Sequence, residues 1–400
     1  MHLLIAADGR SPITQNWIKM TAGLGWRISL ISTFPCGAVA GAQLVAVLPV
    51  GFSALGGGQV KITGSSSGGW KRQLLNRFRP LALALRAWLA PLMLKRFQKR
   101  FAEIATDLEP DAVHALRIPF EGMLAESTPG NIPLILSVWG NDLTLHARTS
   151  PLMGLFTRRA LRRADGLMAD AERDLALAET WGLRAGRPTL VLPGGGGLDL
   201  DALQGIIANS ELPFELPAGR PIVVNPRGFR PGSVHQDVFF KSIPLVLKEQ
   251  PDAFFVCTAL AGQPQAERWV EEAGLEAHVR LLPYLPQAQL WRLYARSSVY
   301  VSLSSHDGTP NTFLEALACG CFPVVGNITS LRAWLQDGSN GLLVDARDPR
   351  QAAEAIIQAL ADETLRKDAR EKNRMLIESR AEISQVRAAY QAFMKKLVAG

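Results

Sequence analysis

The sequence predicts an α/β protein of two Rossmann-like, doubly wound domains, and three observations predict it. Its 400 residues are long for a single hydrophobic core. Short apolar runs rich in β-branched residues alternate with stretches of helical periodicity, the pattern of parallel strands joined by crossover helices. Over residues 203–220 that rhythm breaks at Pro213, Pro217 and Gly219, and a strand restarts at Pro221. These signals mark a first domain over residues 1–202, a linker over 203–220 and a second domain over 221–383.

Composition narrows the class. With 48% hydrophobic and 20% charged residues the chain is globular rather than disordered. No apolar run approaches the roughly 20 residues that span a bilayer. The N-terminal MHLLIAADGRSP lacks a basic region and enters a strand at once, which predicts a cytoplasmic chain without a secretory signal. Cys36, Cys257, Cys319 and Cys321 have no zinc spacing and read as reduced thiols, so no metal site is expected. The net charge of +7 is uneven: residues 1–200 hold 22 Lys+Arg against 14 Asp+Glu, the remainder 21 against 22. Residues 71–100 alone carry nine Lys/Arg and no acid.

In the first domain, His2–Ala6 reads as a buried strand, Ala7–Asn16 as a polar loop and Trp17–Leu24 as a helix. Arg27–Ser32 and Gln43–Leu48 are further strands. The loop has no GxGxxG, which weighs against a dinucleotide oxidoreductase. Ser53–Gly69 is a Gly/Ser-rich loop, and Trp70–Leu108 reads as amphipathic helix interrupted at Pro80 and Pro91. Two readings fit that helix. In one, apolar residues such as Leu74, Leu85, Leu92, Phe97 and Phe101 pack in the core and the cations form a solvated face. In the other, the basic face rests on an anionic membrane, placing the protein peripherally at the inner membrane face. Nucleic acid is not expected as a partner, because no recognition motif accompanies the charge.

Asp111–Ala115 is the next strand, and its His114 is of the kind that ordinarily serves as a hydrogen-bonded structural residue. Ile132–Val138 runs into Trp139, Gly140, Asn141 and Asp142, a polar cluster at the carboxyl end of a strand, where open α/β sheets bind ligands. Asp142 faces an acceptor hydroxyl on one reading and caps the following helix on another. Gly166–Ala169 and Thr189–Leu192 close this half. Gly194–Gly197 then allows either close backbone approach or simple flexibility.

The second domain reads as strands Pro221–Asn225, Ala253–Thr258 and Val279–Leu282, a helix Leu290–Ala295, and then the most informative stretch, residues 299–325. Val299–Leu303 is a strand and Ser304–Gly308 a loop. Thr309 is the expected N-cap of a helix with Pro310 at its first position, ending near Cys319 before a left-handed Gly320. Phe322–Val325 is the next strand. The free amides of Asn311 and Thr312 at the helix start suit a phosphate. Asp307 and Glu315, eight residues apart, add carboxylates for hydroxyls, a pairing that suits a nucleotide sugar. A capped core helix with one exposed Glu and a loop Asp has the same pattern. Gly341–Val344, Pro349–Ala361 and a C-terminal helix from about Ser384 complete the chain.

Asp307, Gly308, Pro310, Glu315, Ala316, Ala318 and Gly320 stand in the register of a known signature. The segment resembles that of retaining GT-B glycosyltransferases of family four, with Asp307 where Glu is usual and Pro323-Val324 one residue late. Pro110–Ala115 resembles the family's PDVVHAH strand, and Leu192–Gly197 its Pro-Asn-Gly turn with Gly for Asn. Pro226-Arg227-Gly228-Phe229-Arg230 resembles its Gly-Arg turn; the Lys that normally follows is missing, and Arg230 is placed to supply that second cation. Pro283-Tyr284-Leu285 corresponds to the turn that reads the nucleobase.

The resemblance implies a GT-B fold, two Rossmann-like domains facing a cleft, with the donor on the second, the acceptor on the first and a C-terminal helix (about 384–400) crossing back. It implies retaining, metal-independent transfer from a nucleotide-diphosphate sugar, a co-substrate rather than a cofactor. The acceptor would be a glycan or lipid-linked hydroxyl in cell-surface polysaccharide or glycolipid synthesis. Catalysis would fall to Asp307, Arg227 and Asp142. Donor binding would involve Arg230, Glu315, Tyr284 and Leu285, with Gly308, Thr309, Pro310, Asn311 and Thr312 forming the donor loop. Gly9, Arg10, His114, Trp139, Asn141 and Gly195 would line the cleft. An epimerase or sugar phosphorylase on the same fold, and a non-catalytic sugar-nucleotide-binding subunit, are the alternatives; product analysis with donor alone, and binding without turnover, would reveal them.

Overall fold

A computed structural model describes residues 1–50, 88, 91–208 and 212–398. The chain divides into two compact units, Met1–Gly196 with Val386–Gly400, and Gly197–Gln385.

Unit 1 is built on β1 (His2–Ala7), α1 (Pro12–Ala22), β2 (Arg27–Ser32), β3 (Gln43–Val47), a helix α2 described over residues 91–108, β4 (Ala112–Ala115) and the short α3 (Met123–Ala125). It continues through β5 (Leu134–Val138), α4 (Pro151–Arg163), β6 (Gly166–Ala169), α5 (Glu172–Trp181) and β7 (Thr189–Val191). Its seven strands are all parallel, in the order β3-β2-β1-β4-β5-β6-β7. All six residues of β1 are buried, as expected of a central strand covered on both faces. Helix α4 shows why such segments start where they do: Ser150 accepts from the Met153 amide at 3.1 Å, Pro151 takes the first turn, and Arg162 and Arg163 sit at the negative end of the dipole.

Unit 2 comprises α6 (Leu200–Ala208), β8 (Ile222–Asn225), α7 (Gln236–Glu249), β9 (Phe254–Cys257), α8 (Pro264–Glu272), β10 (Val279–Leu281) and α9 (Gln287–Ala295). Then come β11 (Val299–Ser302), α10 (Asn311–Ala318), β12 (Phe322–Gly326), α11 (Thr329–Arg332), β13 (Leu342–Val344), α12 (Pro349–Ala361) and α13 (Glu363–Arg380). The six strands are again parallel, ordered β10-β9-β8-β11-β12-β13. Successive residues of β11 point to opposite faces: Val299 and Val301 join a core with Phe239, Ile243 and Ile356, whereas Tyr300 joins one with Leu293, Phe313 and Leu317. The last helix, α14 (Ile383–Val398), lies in unit 1 from Val386 onward. There Tyr390 is fully buried, and a side chain at Gly166 would press within 2.9 Å of Phe393.

Several expectations are corrected. The Ala7–Asn16 loop is shorter, because α1 begins at Pro12 and turns Thr14, Trp17, Ile18 and Met20 inward. Residues 203–220 are not a bare linker: α6 occupies Leu200–Ala208, its Leu203 is buried, and Phe214 and Leu216 pack on the unit 2 core. Helix α13, highly polar overall and burying only Ala369, Asn373 and Ile377, was not anticipated. The Gly/Ser-rich stretch and the helix expectation up to residue 87 lie outside the described residues. Of α2, Leu94, Phe101 and Ile104 are core, but Leu92, inside on the packed-core reading, is 53% exposed. All four cysteines are free.

Candidate active site

In each unit, strand order reverses at one place, between β1 and β4 and between β8 and β11. Loops leaving the carboxyl ends of such strands splay apart and leave room for a ligand. In unit 2 these are residues 226–235 after β8 and 303–310 after β11. The two loops are stitched together: the His235 amide donates to Leu303 O (2.9 Å), the Ser305 amide to Ser233 O (2.8 Å), and His235 Nε2 meets Ser305 Oγ (2.9 Å).

This stitching brings Arg227 against Asp307. Arg227 Nη2 donates to Asp307 Oδ2 at 2.5 Å and its Nη1 reaches Thr312 Oγ1 at 3.4 Å. Thr312 also meets the buried Tyr300 hydroxyl at 3.2 Å. The Arg227 backbone is held from below: its amide donates to Asn225 Oδ1 (3.0 Å), Asn225 Nδ2 donates to Gln236 Oε1 (2.8 Å), and Gln236 Nε2 donates to Arg227 O. Asp307 Oδ1 accepts from the Gly308 amide at 3.0 Å. Arg227 is buried, yet its Nε–H has no hydrogen-bond partner. Arg230 stands close enough that the Arg227 charge, followed by burial, lowers its pKa, while Asp307 opposes both. Two guanidiniums, one carboxylate and the start of α10 therefore share one loop cluster.

Glu315 lies one helical turn inside α10, 5% exposed, and its Oε1 accepts from Gln287 Nε2 at 2.7 Å. Burial pushes its carboxyl up to about 7 against that hydrogen bond. Tyr284 is 49% exposed in the turn before α9, whereas the Leu285 side chain belongs to the core. Thr309 is not the N-cap. Its hydroxyl accepts from Trp334 Nε1 at 3.1 Å, and Pro310 occupies the cap position instead. Gly320 has φ +86° after the helix, as the stop signal requires.

In unit 1 the sequence-selected residues separate into two groups. Trp139 lines a cavity of about 560 Å³, together with Asp8, Arg117 and Glu121. Arg10 makes a bidentate pair with Asp8 (3.1 Å each) and lies 4.0 Å over the Phe34 ring. Asn141 is half-buried, with Oδ1 unpartnered. The second group is structural. His114 lines nothing: it is fully enclosed, between Tyr390 OH (2.9 Å) and Ser137 Oγ (2.8 Å), and burial pushes its pKa down to about 3. Gly9 is buried so closely that a Cβ would lie 2.6 Å from Cys36 Sγ. Gly195 sits in a buried turn whose Gly194 carbonyl accepts from Trp17 Nε1 at 2.7 Å and whose Gly196 has φ +79°.

Asp142 does not cap a following helix. Its Oδ1 accepts from Arg117 Nη2 (2.8 Å), and its Oδ2 from the amides of Ile118 and Trp139 (3.2 Å each). The side chain is fully buried, an anchor for the loop after β4. Gln287, the Asn225–Gln236 clamp and Glu121 were missed by sequence reasoning. None belongs to a motif, and only long-range packing makes them neighbours.

Two family models match the chain: "Glycosyl transferase 4-like domain" over residues 12–194 and "Glycosyl transferases group 1" over residues 214–375. The chain belongs to the group 1 glycosyltransferases. The D-inositol 3-phosphate glycosyltransferase of Paenarthrobacter aurescens is 28% identical over 189 residues, 43% of this chain and 46% of that one. The O-antigen chain mannosyltransferase B of Escherichia coli is 35% identical over 97 residues, 24% of this chain and 25% of that one. The matched segments thus span less than half of these relatives. HepE of Anabaena, solved with UDP and glucose, matches with a TM-score of 0.68 and 15% identity over 99% of this chain and all of that one. That likeness establishes the GT-B fold of two parallel-sheet α/β domains.

Proposed function

We propose that this chain is a retaining glycosyltransferase that moves a sugar from a nucleoside-diphosphate sugar to an acceptor hydroxyl. The observation that carries the proposal is Arg227: a buried guanidinium, oriented by Asp307 and Thr312, with an unpartnered Nε–H beside the start of α10. A diphosphate supplies the acceptor oxygens such a group lacks. In the reaction the bond between the anomeric carbon and the diphosphate oxygen breaks, and charge builds on the leaving nucleoside diphosphate. Arg227, Arg230 and the amides of Asn311 and Thr312 stabilise that charge, an electrostatic role that does not call on a metal. Glu315 accepts from the ribose hydroxyls, and Asp307 faces the hydroxyls of the donor sugar. The acceptor oxygen bonds to the anomeric carbon on the face the diphosphate leaves, and its proton passes to the departing diphosphate oxygen.

Unit 1 takes the acceptor. The names of the relatives, one acting on an inositol phosphate and one on O-antigen chains, support a place in glycolipid or surface-polysaccharide assembly. A peripheral membrane position is supported by α2, where Lys95, Arg96 and Lys99 are exposed beside Leu92 and Met93. No helix among the described residues is long and apolar enough to cross a membrane. The test is product analysis with UDP-, GDP- and ADP-sugars, each with and without acceptor. Transfer with retained anomeric configuration supports the proposal. A free epimerised donor, or a sugar phosphate formed from inorganic phosphate, would replace it.

A further inference from the structure

The cavity of about 560 Å³ in unit 1 lies at the switch point, at the carboxyl ends of β1 and β4. Phe34, Leu116, Phe120, Trp139, Leu145 and Met153 give it mainly apolar walls. Besides Asp8, Ser11, His146 and Thr149, three polar residues of the lining present buried groups. Thr14 is 1% exposed, lines the cavity, and its Oγ1 has no hydrogen-bond partner. Glu121 is 4% exposed and accepts from Thr33 Oγ1 at 2.7 Å. It is carried on a widened turn, Ile118–Gly122, in which Phe120 takes φ +69°. Arg117 contributes a buried Nε–H that also lacks a partner. Unpaired buried donors and acceptors of this kind are costly unless a ligand satisfies them.

Charge narrows the ligand. Both arginines beside this wall are already committed, Arg10 to Asp8 (3.1 Å) and Arg117 to Asp142 (2.8 Å). Burial pushes the Glu121 carboxyl up to about 7, so near neutrality it is partly protonated and able to donate. A phosphate monoester would bring roughly two negative charges to walls whose nearby guanidiniums are neutralised and whose remaining acid is a carboxyl.

We infer that this cavity binds an uncharged part of the acceptor, a hydroxyl-bearing sugar with an apolar or aromatic substituent, through Thr14, Glu121 and Arg117, and not a phosphorylated polyol. The inference rests on the glycosyltransferase reading and sets this chain apart from relatives named for inositol 3-phosphate.

The experiment is calorimetric titration of the full chain with octyl glucoside below its micelle concentration, 4-nitrophenyl mannoside and inositol 3-phosphate, with UDP, GDP and ADP titrated in parallel. At least one neutral glycoside binds tenfold or more tightly than inositol 3-phosphate. Glu121→Gln, nearly isosteric, and Thr14→Val each weaken that glycoside at least fivefold while leaving nucleoside diphosphate binding unchanged. Inositol 3-phosphate binding as tightly as the glycosides, or no glycoside binding by a chain that still takes a nucleoside diphosphate, overturns the inference alone. Absence of any nucleoside diphosphate binding removes the glycosyltransferase reading and the inference with it.

Discussion

Arg227 Nη2 stands 2.5 Å from Asp307 Oδ2, with side-chain exposures of 5% and 15%, so one enclosed ion pair ties the loop after β8 to the loop after β11. Removing one partner of an enclosed pair leaves the other charge uncompensated. Arg227→Ala and Asp307→Ala should each destabilise the fold by about 3 kcal/mol, and the double variant should cost clearly less than the sum. Denaturant unfolding of the three variants measures this coupling; strictly additive losses would mean that the pair is not a unit.

Glu315 gives the protein a pH signature. Its folded-state carboxyl stands at about 7, above the ordinary 4.5, so the folded chain holds that proton more tightly than the unfolded chain does. Its contribution therefore favours folding below 4.5 and is lost as pH rises from 4.5 to about 7. Glu315→Gln, neutral throughout, should gain stability relative to the parent between pH 5 and pH 8, on the order of 1–3 kcal/mol, while losing donor affinity. Parallel pH–stability curves for parent and variant would refute the buried, protonated Glu315.

Gly326, at the end of β12, tests how tightly the donor loop is held. A Cβ there would overlap the Ser304 carbonyl, at the root of the loop that carries Asp307. Gly326→Ala should cost about 1–3 kcal/mol and weaken nucleotide binding together with stability. Normal binding and normal thermal unfolding in this variant would show that the loop yields without consequence.

How much of this was legible beforehand follows the range of the interactions. The strands of both sheets are continuous apolar runs, so Arg27–Ser32 and Gly166–Ala169 were placed to the residue. Asp307, Glu315 and Arg227 were singled out because they belong to local signatures, and the structure brings Arg227 and Asp307 together. Their partners were not, since Gln287 meets Glu315 and Thr33 meets Glu121 only through tertiary packing. For His114 the reading as a hydrogen-bonded structural residue holds, and the cleft-lining expectation fails for the same reason. Its strand-end position suggests a lining residue, but α14, remote in sequence, encloses it with Tyr390. The α6 helix was hidden by the prolines that follow it, which draw attention to the break rather than to Leu200–Ala208.

The exposed cations of α2 make a prediction about location. Lys95, Arg96 and Lys99 face outward, whereas Arg100 is partly offset by Glu103 at 3.2 Å. Each free cation near an anionic bilayer contributes about 1 kcal/mol, so reversing the three to Glu should release the chain from anionic vesicles and spare turnover of a water-soluble acceptor. Cosedimentation at low and high salt checks this. An unmodified chain that fails to bind anionic vesicles at low salt would leave these residues as a solvated helix face.

If Arg227 and its neighbours form a diphosphate site, nucleoside diphosphate and nucleoside respond differently to Arg227→Ala. After UDP, GDP and ADP have identified the base, calorimetry should give a loss of about 30- to 150-fold in diphosphate affinity for the variant, equivalent to about 2–3 kcal/mol. Affinity for the matching nucleoside should be unchanged. Equal losses for both ligands, or no loss for either, would show that Arg227 does not hold a diphosphate.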